Sequence, residues 1–116
     1  MSYPKRGEIF WVNLDPTVGS EIKKIRPCVI ISPDVANQSG PLVIVAPITK
    51  VEAKKIYFHE IHLPKGTANF PHDSKIKVFQ LRCLDKKRLR GKKIGALPED
   101  LWEDLNEKIR IVTGLY

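Results

Sequence analysis

Only two cysteines occur in the chain, Cys28 and Cys83, too few and too distant for a disulfide framework. Each sits in an alternating or continuously apolar run, which marks it as a small, semi-buried hydrophobe. Long apolar runs are missing: none approaches the ~20 residues that a membrane-spanning helix needs. The opening stretch MSYPKRGEIFW also lacks a signal-type apolar core, so the expected address is the cytoplasm, with no membrane crossed. Repeats, low-complexity segments and linkers are absent, as are HExxH, paired CxxC, P-loop and GxSxG motifs. His59 and His62 lie three apart on an expected strand and face opposite sides, while His72 falls in a loop; no metal-ligand set forms, and neither metal nor cofactor is expected. Acids are the minority, 13 against 20 Lys and Arg, giving a net charge of +7. That excess favours an anionic partner: nucleic acid, an anionic membrane surface or an acidic protein.

What is present is the material of one small domain, residues 1–116, with 42% hydrophobic and 28% charged residues, enough to bury a core. Apolar runs are short and punctuated by Pro and Gly. Residues 7–14 (GEIFWVNL), 27–32 (PCVIIS) and 42–48 (LVIVAPI) read as strands buried on both sides. Residues 55–63 (KIYFHEIHL) and 76–83 (IKVFQLRC) alternate and read as half-exposed strands, and 93–96 as a short last strand. Residues 15–25, 33–40 and 64–74 read as loops. Asp85 caps a short helix over 86–90 ended by Gly91. The one full helix begins at Pro98, carries Leu101, Leu105, Ile109 and Val112 on one stripe, and stops at Gly114. Trp11, Leu101, Leu105 and Ile109 read as core or dimer-supporting positions. The expected fold is mainly β: a small curled antiparallel sheet or half-open barrel with a C-terminal helix.

Three features carry possible chemistry. Pro27 pushes Arg26 toward an extended backbone at the mouth of a buried strand. Its planar fork of donors suits phosphate oxygens, or equally a neighbouring carboxylate. Thr49 closes the strand VAPIT, where its hydroxyl serves either a local turn or a ligand. The third feature is a basic run, with Lys75, Lys77, Arg82, Lys86, Lys87, Arg88, Arg90, Lys92 and Lys93 against the single acid Asp85. It reads as a phosphate-binding strip or as a solvated face.

The segment KRGEIFWVNLDPTVGSEIKKIRPCVIIS (residues 5–32) resembles the opening of the MazF/PemK toxins, with their RGxIxWVxLDPxxGxE…RPxVVxS pattern. VAPIT (45–49) and DSKIKVFQLRCLDKKRL (73–89) resemble that family's P-x-T strand and DS…QxRTxDxxRL block. The likeness runs in order over nearly the whole chain. It implies an SH3-like or CcdB-like barrel with a terminal helix, working as a homodimer. The implied function is that of a type II toxin–antitoxin toxin: a metal-independent endoribonuclease that cuts single-stranded RNA at a short sequence and arrests growth. The implied ends are a 2′,3′-cyclic phosphate and a 5′-OH. An acidic MazE-like antitoxin is the implied partner, and operator DNA is reached only through it.

Residue by residue, the family's catalytic Arg falls on Arg26 and its Thr on Thr49. Thr17, Ser20, Lys23, Lys24, Lys75, Lys77, Gln80 and Arg82 are the expected RNA contacts. The loop 17–25, with Gly19 for flexibility, is an expected gate over the groove. Phe79 stands where many relatives carry a polar residue or an acid, Cys83 where Thr is common, and Ser20 where some carry His. An exposed Phe79 would offer a base-stacking face; the expectation at its position is a core aromatic. The alternative function is a non-enzymatic, CcdB-like toxin that inhibits DNA gyrase by binding it through the terminal helix.

Overall fold

The computed structural model describes residues 3–51 and 55–115. Seven strands form one open sheet: β1 (Glu8–Asn13), β2 (Ile25–Ile30), β3 (Leu42–Lys50), β4 (Ile61–Leu63), β5 (Ser74–Ile76), β6 (Arg82–Asp85) and β7 (Leu89–Ala96). The path runs β4-β5-β3-β2-β1-β7, with β6 also on β3. Each pairing is antiparallel. The short helix α1 (Asp34–Ser39) precedes β3, and α2 (Trp102–Thr113) ends the fold. The curled antiparallel sheet with one terminal helix is the expected architecture, though the barrel is not closed.

The central strands are apolar on both sides because both sides are covered. Ile9, Val29, Ala46, Ile48, Ile76 and Leu105 belong to one core. Val12, Leu14, Cys28, Ile30, Val43, Val45 and Leu84 belong to a second, on the opposite face. Successive residues of β2 and β3 therefore feed different cores, as a period of two requires. Leu105 is fully buried, and Leu101, Ile109 and Val112 pack on the first core, so the α2 stripe is its lid. Gly114 ends α2 at φ 77°, its N–H donating to the carbonyls of Arg110 and Ile111.

The nine residues of β3 split between partners: Leu42–Val45 pair with β6, Val45–Pro47 with β2, and Ile48–Lys50 with β5. Four sequence expectations change here. Residues 55–63 form a strand only over Ile61–Leu63, because a turn closes from Glu60 N–H to Tyr57 O at 2.9 Å. Residues 76–83 break at a single 3-10 turn, Val78–Gln80, where Lys77 N–H donates to Pro47 O at 2.8 Å. The short helix expected at 86–90 is one 3-10 turn, Lys86–Arg88, capped by Asp85 as anticipated, and β7 is longer than expected. Residues 33–40, read as loop, hold α1, whose buried Asn37 donates to Ser32 O at 3.0 Å.

Candidate active site

Arg26 and Thr49 come from neighbouring strands. The β2–β3 register pairs Cys28 with Pro47; Arg26 lies two residues before Cys28 and Thr49 two after Pro47, and the two side chains line the same cavities. Thr49 in turn pairs with Lys75 of β5, and Lys75 with His62 of β4. Cross-strand partners share a face, so this row of side chains issues from the same side as Cys28, Val45 and Pro47. Arg26, Thr49, Lys50 and Lys75 line one open cavity of about 500 Å³. Arg26 and Thr49 also border a smaller, more apolar one of about 320 Å³ with Trp11, Phe70 and His72.

Both residues are unspent by the local structure. Arg26 uses Nε to donate to Lys23 O at 3.2 Å, and among the described residues it meets no carboxylate. Thr49 Oγ1 has no hydrogen bond among the described residues. A guanidinium rooted by the extended Pro27 backbone, beside an available hydroxyl, offers donors to the non-bridging oxygens of one phosphate.

The other expected contacts divide sharply. Lys75 is almost buried, and its Nζ lies 3.0 Å from Glu60 Oε1, while Lys77 Nζ lies 3.4 Å from Oε2. Glu60 is the residue that sequence reasoning missed. Its side chain is fully buried. Burial alone would push its carboxyl pKa up, but the Tyr57 backbone N–H and the ammonium groups of Lys75 and Lys77 outweigh that and hold it below the ordinary value. A lone acid within an apolar alternation, with two lysines downstream, was the available signal. Gln80 and Arg82 anchor the chain: Gln80 Oε1 accepts from Ile22 N–H at 2.7 Å, and Arg82 Nη1 donates to Leu14 O at 2.9 Å. Both still line a cavity of about 510 Å³ with Ser20, Pro47 and Phe79. Thr17 bonds to Asp15 within its loop at 3.3 Å. Ser20, Lys23 and Lys24 are exposed, and Lys24 adopts φ 71° while its carbonyl accepts from Leu14 N–H at 2.9 Å. The loop 17–25 is thus pinned at its middle and its end.

The basic run is likewise divided. Arg88 donates to the carbonyls of Asn13 and Asp15, Arg90 to those of Lys87 and Leu89, and Lys93 pairs with Glu8 at 3.1 Å. Three expectations about single side chains are corrected. Phe79 is 67% exposed, because it sits on the turn Val78–Gln80 and not in a strand; Trp11 is 46% exposed, which removes it from the core and leaves its dimer-supporting reading. Cys83 is exposed on β6. Cys28 is buried, and desolvation, only partly opposed by Arg82, raises its thiol pKa to about 12, so it is no nucleophile near neutral pH. Among the described residues, no three His, Cys, Asp or Glu side chains are grouped to hold a metal, and no helix is long and apolar enough to cross a membrane.

Sequence and fold are both similar to those of known proteins. The chain is 34% identical over 112 residues to Endoribonuclease EndoA of Bacillus subtilis (strain 168), an alignment covering 96% of this chain and 95% of that one. Its fold resembles the crystal structure of MazF from Deinococcus radiodurans, with a TM-score of 0.82, 24% identity, and coverage of 98% and 99%. It also resembles the MazE–MazF complex of the same organism (Form-II), with a TM-score of 0.76, 22% identity and 100% coverage of both chains. The family model of the PemK-like, MazF-like toxins matches residues 5–113, and with that match the chain belongs to this family of type II toxin–antitoxin toxins.

Proposed function

We propose that this toxin is an endoribonuclease that cuts single-stranded RNA at a short sequence without a metal ion. The observation that carries it is the convergence of Arg26 and Thr49 on one open cavity from adjacent strands. The family match and the relative named as an endoribonuclease support this reading over gyrase binding. In the reaction the substrate's 2′-oxygen attacks the adjacent phosphorus. The P–O5′ bond breaks, the 2′-OH proton passes to solvent, and the 5′-oxygen leaves protonated. The products are a 2′,3′-cyclic phosphate and a 5′-OH. Charge grows on the non-bridging oxygens, where Arg26 and Thr49 donate hydrogen bonds. Arg26 stays protonated at any ordinary pH, so it acts as an electrostatic stabiliser and not as a base. Lys75, held by Glu60, adds positive potential at the cavity wall, and Ser20, Lys23, Lys24, Lys77, Gln80 and Arg82 border the path of the strand, with Thr17 at the loop's start.

Residues 1–116 act as one toxin domain, paired as a homodimer in the cytoplasm. An acidic antitoxin competes with RNA for the basic surface, and operator DNA is bound only through that partner. Solved complexes of relatives with their cognate antitoxins support the partner assignment.

The test is incubation of the purified protein with long RNA in EDTA, followed by mapping of the 5′-ends. Cuts clustered at one short sequence, 5′-OH ends and intact DNA of the same sequence are expected. Intact RNA together with inhibited DNA supercoiling would return the chain to the gyrase-binding class.

A further inference from the structure

We propose that Phe79, backed by His59 and Tyr57, is a stacking shelf for one unpaired base of the RNA substrate, placed beside the Arg26–Thr49 cavity. The inference rests on the endoribonuclease reading and adds to it a position where a base is held. Four rings gather at this corner. Tyr57 and His59 stack with centroids 6.0 Å apart, Phe58 meets His59 edge-on at 5.0 Å, and His59 lies 5.5 Å from Phe79. Phe79 is 67% and Phe58 73% exposed. Clustered exposed rings mark a binding surface.

The shelf is physically joined to the site. Lys75 Nζ sits 5.4 Å from the Tyr57 ring centroid, and the same lysine pairs with Thr49 and lines the cavity with Arg26. Glu60 holds the turn that presents the rings: its Oε1 accepts from Tyr57 N–H at 2.9 Å while it also faces Lys75. On the other flank Phe79 lines the 510 Å³ cavity with Ser20, Gln80 and Arg82. Lys75 therefore stands between the Arg26–Thr49 cavity and the rings, so that cations and aromatic faces are neighbours in that order. That order matches a nucleotide, whose phosphate and base lie a few ångströms apart. Lys55, 5.8 Å from the Tyr57 centroid, adds to the positive surround, which suits a polyanion with π faces better than an apolar protein segment. Stacking is sequence-tolerant in kind but varies in strength between bases, so the shelf adds affinity and biases one position of the cut site.

The test compares wild type with Phe79→Leu, which keeps the apolar bulk and removes the π face, and with Phe79→Trp, which keeps it. Two readouts are used: cleavage kinetics, and anisotropy of a labelled 2′-O-methyl single-stranded oligoribonucleotide, which cannot be cut. The oligonucleotide spans the mapped cut site, or is of randomised sequence if wild type cuts no RNA. Phe79→Leu is expected to raise both KM and Kd by about 5- to 150-fold with kcat nearly unchanged, and Phe79→Trp to restore binding. Equal KM and Kd for wild type and Phe79→Leu overturn the shelf, as does a Phe79→Leu defect confined to binding of an acidic antitoxin peptide. Absence of cleavage by wild type sinks the functional reading instead, and the uncleavable oligonucleotide still decides the shelf.

Discussion

Two side chains carry the proposed chemistry, and their removal has a defined size. Arg26→Ala and Thr49→Ala are each expected to lower the single-turnover cleavage rate by about 10²–10³, the usual cost of one donor aimed at a developing anion. Arg26 is exposed and bonds only to a nearby carbonyl, so its urea midpoint should not move; a rate within a factor of about three of wild type would remove it from the site. Glu60 makes a different kind of prediction. Its carboxylate is stabilised in the fold, so it contributes stability above its ordinary pKa of 4.5 and loses it as pH falls through the lower folded value. Glu60→Gln strands Lys75 and Lys77 without their counter-charge, and loss of one partner of such a buried pair costs about 3–5 kcal/mol. Urea unfolding at about pH 7 should show that loss, and the gap between wild type and variant should narrow as pH falls below 4.5 and through the lowered folded value. A gap that stays constant across this range would mean that packing, and not charge, is what Glu60 supplies.

At the scale of elements, the connection into β1 is set by one close approach. Gly7 has φ +89°, and a Cβ built there would lie 2.4 Å from the Trp102 ring on α2. Trp102 also receives the Arg6 guanidinium at 4.8 Å, and Arg6 donates to Ile31 O and Asn106 Oδ1. Gly7→Ala should therefore unlatch α2 from the sheet, with a loss of about 1–3 kcal/mol in urea unfolding; an unchanged midpoint would show that Trp102 moves aside freely. Much of the element order was legible in the sequence. β1, β2, β3 and α2 were read near their observed places because their residues obey periods of two or 3.6 without interruption. Two of the failures share one cause. The segments 55–63 and 76–83 alternate like strands but are bent by contacts made elsewhere: Glu60 with its own turn and two lysines, and Lys77 N–H with Pro47 O. Alternation records which residues are apolar, and it cannot record a hydrogen bond to a distant strand.

For the whole molecule, the net charge of +7 is the property that meets a polyanion. If about four phosphates are neutralised, affinity for single-stranded RNA should fall roughly fifty-fold between 50 and 200 mM salt. Arg88 and Arg90 are occupied with backbone carbonyls, so neutralising them should disturb the fold more than the salt slope, whereas Lys23→Ala with Lys24→Ala should flatten the slope measured by titration. The sequence by itself determined the composition of the two-sided core, the terminal helix, the family likeness and the nomination of Arg26 and Thr49 as the proposed pair, because periodicity and motif spacing are local properties of the chain. Tertiary structure alone decided which cations are spent and which remain. Lys75 and Lys77 lie on Glu60 and Arg82 on Leu14 O, while Phe79 is turned to solvent. A charge or a ring in a sequence has no partner until folding brings distant residues within a few ångströms, and it is that proximity that separates a side chain holding the fold from one left to hold RNA.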